Sequence, residues 1–171
     1  MGIIADFFAK IAVKALTKSP WALHFNSGSC NGCDIEIIAT LTPRYDVERF
    51  GIVLQRSPRH ADILLATGPV TRQTEPILRR IYEQMPQPKF VFAIGQCAIS
   101  GAIYKQAYNH CGGIDAVIPV SCYIPGCPPR PEEIVHGLTK FLAELQDFAA
   151  KQKNIIEETT IEAEEERRHE W

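Results

Sequence analysis

Residues 90–97 read FVFAIGQC, five apolar residues followed at once by a glycine, a polar residue and a cysteine. A short apolar run without polar alternation is typical of a β-strand that is covered on both faces. We predict four further strands, over Ala22–Phe25, Ile52–Leu54, Asp62–Ala66 and Ala116–Val120. Helical patterns near 31–41, 74–85, 98–107 and 131–149 alternate with them. This alternation predicts an α/β fold with a doubly wound, mostly parallel, flavodoxin-like sheet and helices on both faces.

The chain divides into three zones. Residues 1–18 are predicted to form an amphipathic helix, which packs on its own domain, on a partner or on a membrane surface. Residues 19–150 form the predicted α/β domain. Residues 151–171 carry seven acidic and four basic side chains without a hydrophobic period, which predicts a frayed helical extension or a disordered tail.

The composition excludes several classes of function. With 171 residues, 46% of them hydrophobic, and a net charge of −2, the chain has no basic surface that would favour nucleic acid. We expect neither a membrane span nor a secretory signal, and therefore a protein that stays in the cytoplasm. Six cysteines in a reducing compartment indicate ligands or redox groups rather than disulfides.

The cysteines follow the predicted strands. Cys30 follows the first strand, Cys97 the fourth and Cys127 the last, while Cys33 completes a CxxC with Cys30. Because the carboxyl ends of parallel strands meet at one edge of a sheet, these loops are predicted to converge there. Four sulfur donors suit an iron–sulfur cluster but also zinc, so both metals remain open at this point. We predict structural roles for the other two cysteines, Cys111 and Cys122.

Five motifs resemble a known family. They are GSCNGCDIE (28–36), PRYDVERFG (43–51), SPRHADILLATGPVT (57–71), AIGQCAISGAIY (93–104) and YIPGCPPRPEEI (123–134). In this order they resemble the small subunit shared by [NiFe]-hydrogenases and the homologous cluster-bearing subunit of respiratory complex I. The likeness is strongest to the membrane-bound, energy-converting hydrogenases of the formate hydrogenlyase and CO-induced types.

The resemblance implies a cofactor and a role. It makes Cys30, Cys33, Cys97 and Cys127 the ligands of one [4Fe-4S] cluster, in an iron–sulfur domain over 19–150. The chain would carry electrons between the NiFe centre of a large subunit and ferredoxin-like iron–sulfur subunits, in ferredoxin- or formate-linked hydrogen evolution or uptake. Catalysis is not expected from this chain alone. Integral membrane subunits would hold the complex on the cytoplasmic side of the membrane, with this chain peripheral.

Two alternatives accompany this interpretation. Complex I relatives have adjacent cysteines where this chain has CxxC, which favours a hydrogenase-type partner. A complex I-like quinone or sulfur-reducing oxidoreductase without nickel would nevertheless use the same fold and cluster. A cysteine-ligated zinc scaffold protein is the more distant alternative.

Further side chains are candidates for the surroundings of the cluster. By resemblance, Glu36 matches a carboxylate near the cluster and the large-subunit interface. Arg59 and His60 are candidates because positive charge near an anionic cluster raises its reduction potential. We assign Asp34 to the start of a helix, where the helix dipole favours an acid.

Overall fold

The structure, a computed structural model, describes residues 19–147. The predicted helix over 1–18 and the predicted tail over 151–171 lie outside these residues. Seven strands and four α-helices make up the described part. The strands are β1 (Trp21–Asn26), β2 (Val53–Leu54), β3 (Ile63–Thr67), β4 (Val70–Thr71), β5 (Phe90–Ile94), β6 (His110–Gly112) and β7 (Cys122–Ile124). The helices are α1 (Gly32–Thr40), α2 (Glu75–Gln84), α3 (Gln96–Ser100) and α4 (131–147).

The main sheet has five strands in the order β2-β1-β3-β5-β7, and every neighbouring pair is parallel. Counting only these five strands along the chain, the order is 2-1-3-4-5, which is the flavodoxin-like order of a doubly wound sheet. The predicted fold class is therefore confirmed. β4 and β6 form a separate antiparallel pair.

The strands are in register at their carboxyl ends. Asn26 lies opposite Thr67, Thr67 opposite Ile94, and Ile94 opposite Ile124. The loops that follow β1, β3, β5 and β7 therefore leave from the same edge of the sheet. This edge is where doubly wound folds place their ligands.

Helices cover both faces, because successive residues of a strand point to opposite sides. On one face, Ile63, Leu65, Phe92 and Ile94 pack with Ile37 of α1 and with Ile134 and Leu138 of α4. On the other, Leu64, Ala66, Val91 and Ala93 pack with Leu78 of α2 and Ala98 of α3. The two clusters explain why the central strands read as uninterrupted apolar runs.

The predicted strand over Ala116–Val120 is wrong. Residues Ile114–Ala116 form a 3-10 turn instead, and the N–H groups of Val117 and Ile118 both donate to the Ile114 carbonyl. Pro119 has no N–H to give to a sheet. Pairing with β5 starts only at Ser121, whose N–H donates to the Val91 carbonyl, so the last strand is β7.

The helix predicted near 98–107 is shorter and starts earlier, as α3. It ends because Gly101 adopts a left-handed conformation with φ of 77°. A 3-10 turn over Ala102–Tyr104 follows. Across residues 19–147, none of the helices has the length and apolar character to cross a bilayer.

The stability of the sheet depends on Phe92 at its centre. Phe92 is fully buried, and its ring centroid lies 5.0 Å from that of Phe141 on α4. We expect Phe92→Ala to lower the free energy of unfolding by about 3–5 kcal/mol, because a cavity replaces the ring. Urea denaturation of the full-length protein measures this change. Ile103→Ala is the control, since Ile103 is 86% exposed and its loss should change stability by less than about 0.5 kcal/mol.

Candidate metal centre

Four of the six cysteines lie on loops at the carboxyl edge of the sheet. Cys30 follows β1, Cys33 lies in the first turn of α1, Cys97 lies in the first turn of α3, and Cys127 follows β7. The thiols are close enough to act on one another through charge, since Cys30, Cys97 and Cys127 all contribute to the raised pKa of Cys33. The structure thus brings the four predicted ligands into one region. In the described part of the chain, however, no three Cys, His, Asp or Glu side chains are close enough to surround a single metal ion.

Backbone hydrogen bonds join two of the cysteine loops. The Gly95 N–H donates to the Ile124 carbonyl, and the Gln96 N–H donates to the Gly126 carbonyl, each with an N···O distance of 2.8 Å. These bonds fix the start of α3, with Cys97, against the loop that carries Cys127.

Gly95 lets a third loop approach. Its φ is 89°, and a Cβ built on it would lie 2.5 Å from the Cys33 sulfur. Only a residue without a side chain leaves that space to the thiol. A glycine that leaves space at the Cys33 sulfur, in a region that also holds the thiols of Cys30, Cys97 and Cys127, fits a thiolate-bound iron–sulfur group.

Two of the four thiols, those of Cys33 and Cys97, resist ionisation while no metal is bound. Burial, followed by the charges of Asp34 and the other three thiols, raises the pKa of Cys33 from 9.0 to about 11. Burial and the charges of Cys127 and Cys30 also raise the pKa of Cys97. The neutral Cys33 thiol stabilises the metal-free fold below pH 9.0, and this contribution is lost as the pH rises through about 11. Metal binding must release these protons.

Asp34, the residue after Cys33, is buried with an exposed fraction of 7%. Its carboxylate accepts hydrogen bonds from four side chains. The donors are Ser29 Oγ at 2.5 Å, Thr67 Oγ1 at 2.5 Å, Asn26 Nδ2 at 2.6 Å and His24 Nε2 at 2.8 Å. Burial raises the pKa of Asp34, but the hydrogen bonds from Ser29, Thr67 and His24 outweigh it, so the pKa lies below its ordinary value.

The sequence pattern does not indicate this network. Asp34 lies in the first turn of α1, as predicted, but its side chain points into the protein. The available signal was in β1, where the polar residues His24 and Asn26 alternate with apolar ones and so share a face.

The other candidates for the cluster surroundings lie in two places. Glu36 is on α1, three residues after Cys33, and is partly exposed. Arg59 and His60 are exposed in the 3-10 turn Pro58–His60, which precedes β3. His60 contacts Trp21 at the opposite edge of the sheet, with ring centroids 6.2 Å apart. Five residues of strand span roughly 16 Å, so the structure does not bring Arg59 and His60 to the thiols.

Cys111 and Cys122 lie apart from the four thiols. Cys111, on β6, donates its S–H to Glu75 of α2 over 3.3 Å. Cys122, on β7, packs against the core on the face covered by α4. Burial raises the pKa of both thiols.

Fold and site together define a flavodoxin-like α/β protein whose cysteine loops meet at the carboxyl edge of the sheet. Residues 30–141 match the family described as the 20 Kd subunit of NADH ubiquinone oxidoreductase. The chain belongs to this family, whose members are subunits of oxidoreductases.

Individual relatives come from different complexes. The chain is 56% identical over 132 residues to a probable membrane-bound hydrogenase subunit of Pyrococcus furiosus, covering 77% of this chain and 79% of the relative. It is 44% identical over 140 residues to an NADH-quinone oxidoreductase subunit of Citrifermentans bemidjiense, covering 82% and 78%. Among solved structures, a chain of the membrane-bound sulfane sulfur reductase, an archaeal respiratory membrane complex, is 42% identical with a TM-score of 0.71, covering 81% and 76%. The resemblance seen in the motifs is confirmed.

The space beside Gly95 can be tested by filling it. Gly95→Ala forces a Cβ against the Cys33 sulfur and places alanine at a positive φ that L-residues rarely adopt. Overpacking alone lowers the free energy of unfolding by about 1–3 kcal/mol. We expect most of the bound iron to be lost from the anaerobically purified full-length protein, as measured by iron analysis. Gly32→Ala is the matched control, because its Cβ would meet the Cys30 sulfur at an ordinary 3.6 Å. Equal iron contents in the two variants would contradict the assignment.

The raised pKa of Cys33 has a chemical consequence. In metal-free full-length protein, iodoacetamide should alkylate Cys33 at a rate that rises about tenfold per pH unit from pH ~8 to ~10, because only the thiolate reacts. Mass spectrometry of the modified peptide gives the rate, with N-acetylcysteine as the reference thiol. A rate that levels off near the ordinary pKa of 9.0 would contradict a pKa of about 11.

Proposed function

We propose that this chain binds one [4Fe-4S] cluster through Cys30, Cys33, Cys97 and Cys127. We further propose that it serves as the electron-transfer small subunit of a membrane-bound [NiFe]-hydrogenase complex. The observation that carries the proposal is the convergence of these four thiols, from three separate loops, at one edge of the sheet. The 56% identity to a probable membrane-bound hydrogenase subunit supports this choice of complex.

The protein contributes position and surroundings. When bound, the cluster takes up and releases single electrons. The strand ends fix the three loops, and Gly95 keeps the space beside Cys33 free. Cys33 and Cys97 are partly buried, which limits the access of water, whereas Cys30 and Cys127 are exposed. The exposed pair leaves one side of the site open to a neighbouring subunit.

The surface beside the site fits such a neighbour. Ile35 and Ile38 on α1 are 63% and 59% exposed, and three residues apart they share one face of the helix. Glu36 lies between them in sequence. Exposed apolar side chains next to a candidate metal centre favour an interface. In this proposal the NiFe large subunit covers this face, and the carboxylate of Glu36 lies near that interface.

The remaining partners complete the proposed pathway. Ferredoxin-like iron–sulfur subunits exchange electrons with the cluster on the side away from the NiFe centre. Integral membrane subunits of the same complex hold it at the cytoplasmic face of the membrane, with this chain peripheral.

The second candidate function keeps the fold and the cluster but changes the partner. A solved chain of a sulfane sulfur reductase is 42% identical with a TM-score of 0.71, and this likeness favours the sulfur-reducing form of this alternative. We propose that such a sulfur- or quinone-linked complex would lack nickel. The four cysteines are compatible with either complex, so the partner's metal content distinguishes them. A cysteine-ligated zinc scaffold protein is the distant alternative.

Metal analysis tests the proposal. The full-length chain, purified anaerobically and separated from its partner subunits, should bind about four iron and four acid-labile sulfide ions and give a paramagnetic signal after reduction. Nickel is measured separately, on the large subunit that co-purifies with the chain. Cys97→Ala should lose this signal or change it, since it removes one ligand. Cys122→Ala, the control, should keep it.

Three outcomes are informative. One zinc per chain without sulfide would contradict the cluster and support the scaffold alternative. Iron and sulfide in this chain, together with nickel in a co-purifying large subunit, would support the hydrogenase. The same cluster with a nickel-free large subunit would support the sulfur- or quinone-linked complex.

A further inference from the structure

Asp34 joins three segments of the chain at the candidate metal centre. His24 and Asn26 belong to the end of β1, Ser29 to the loop that carries Cys30, and Thr67 to the end of β3. Asn26 also anchors the start of this loop to β1, because its Oδ1 accepts hydrogen bonds from the N–H groups of Gly28 and Ser29. One carboxylate therefore connects the residue after Cys33 to the sheet and to the residue before Cys30.

The charge of this carboxylate is stabilised mainly by neutral groups. Three of its donors are hydroxyl or amide groups, and within residues 19–147 its single ion-pair partner at short range is the imidazole of His24. A carboxylate only accepts hydrogen bonds, so the Nε2 of His24 carries the proton in the 2.8 Å contact. Hydrogen bonds from neutral donors hold a charge in place without cancelling it.

The position of the charge matters for a neighbouring redox group. Asp34 directly follows Cys33, and its carboxylate accepts a hydrogen bond from Ser29, the residue before Cys30, so the charge lies close to the CxxC segment. It is also the first of the charges that raise the pKa of Cys33. A buried negative charge acts through a medium of low dielectric constant, where screening is weak. It opposes the addition of an electron to any group bound by Cys33, because reduction adds negative charge at the same place.

We propose that Asp34 is a positioning residue that fixes the Cys30–Cys33 loop on the sheet and whose buried carboxylate lowers the reduction potential of the cluster bound there. This inference rests on the proposed function, since it requires a cluster at the four thiols. It assigns the control of potential to a carboxylate of this chain, where positive side chains were expected from the sequence.

Two substitutions distinguish the effect of the Asp34 charge from its effect in holding the Cys30–Cys33 loop on the sheet. Asp34→Asn removes the charge with little change in size. Thr67→Val removes one donor, keeps the charge and nearly preserves the shape of a fully buried residue in β3. Both variants loosen the network, so a merely structural role would move the cluster's properties in the same direction. The electrostatic role predicts opposite directions, because a valine at this position no longer offsets part of the carboxylate's negative potential.

The experiment is a redox titration of the full-length, anaerobically purified chain, followed by the paramagnetic signal of the reduced cluster. It is carried out at one fixed pH for all variants. We expect the midpoint potential to become more positive in Asp34→Asn and more negative in Thr67→Val. Glu83→Gln, which neutralises an exposed acid on α2, should leave the potential unchanged.

Several results would overturn the inference. An unchanged potential in Asp34→Asn, or shifts in the same direction for both variants, would exclude an electrostatic role. If Asp34→Asn fails to retain iron, Thr67→Val decides alone, and a potential equal to or above that of the native protein rejects the proposal. Absence of iron and sulfide from the native protein would instead reject the proposed function, so the two failures are distinguishable.

Discussion

The parallel hydrogen-bonded register of β1, β3, β5 and β7 is the constraint on which the rest of the molecule depends. Asn26, Thr67, Ile94 and Ile124 end neighbouring strands at the same level, so the cysteine loops begin side by side. A slip by one residue would turn every core side chain to the wrong face and shift these loops out of line. Sheet pairing and construction of the site are therefore the same event, although the cysteines are far apart in sequence.

The site brings together groups that repel one another when they are negatively charged. Four thiols and one buried carboxylate lie in one region at the edge of the sheet, and burial raises the pKa of at least two of the thiols when no metal is present. Such an arrangement is unfavourable for free thiolates and favourable for a cationic metal that neutralises them. Relatives in hydrogenase and quinone-reducing complexes belong to the same family as this chain. This indicates that the surrounding subunits, rather than this fold, determine which reaction each complex carries out.

Sequence patterns revealed the parts of the structure that depend on local order. The run FVFAIG predicted a central strand and its turn, and the position of each cysteine after a strand predicted which loops would meet. The strand over Ala116–Val120 failed because apolar content does not distinguish a strand from a buried turn, and Ile114 and Ile118 enter the core from a turn. The Asp34 network could not be seen, because two of its partners lie 10 and 33 residues away in sequence. Arg59 and His60 were candidates by charge alone, and no local pattern tells which edge of a sheet a residue will occupy.

The exposure of Cys30 and Cys127 bears on the order in which the protein matures. The proposed cluster would be able to enter from solvent, beside these two exposed thiols, without unfolding the core. The same opening would leave the cluster accessible to oxygen and to chelators until a partner subunit covers it. In the proposed complex, insertion would therefore have to precede docking, because a partner bound to the empty chain would block the entrance.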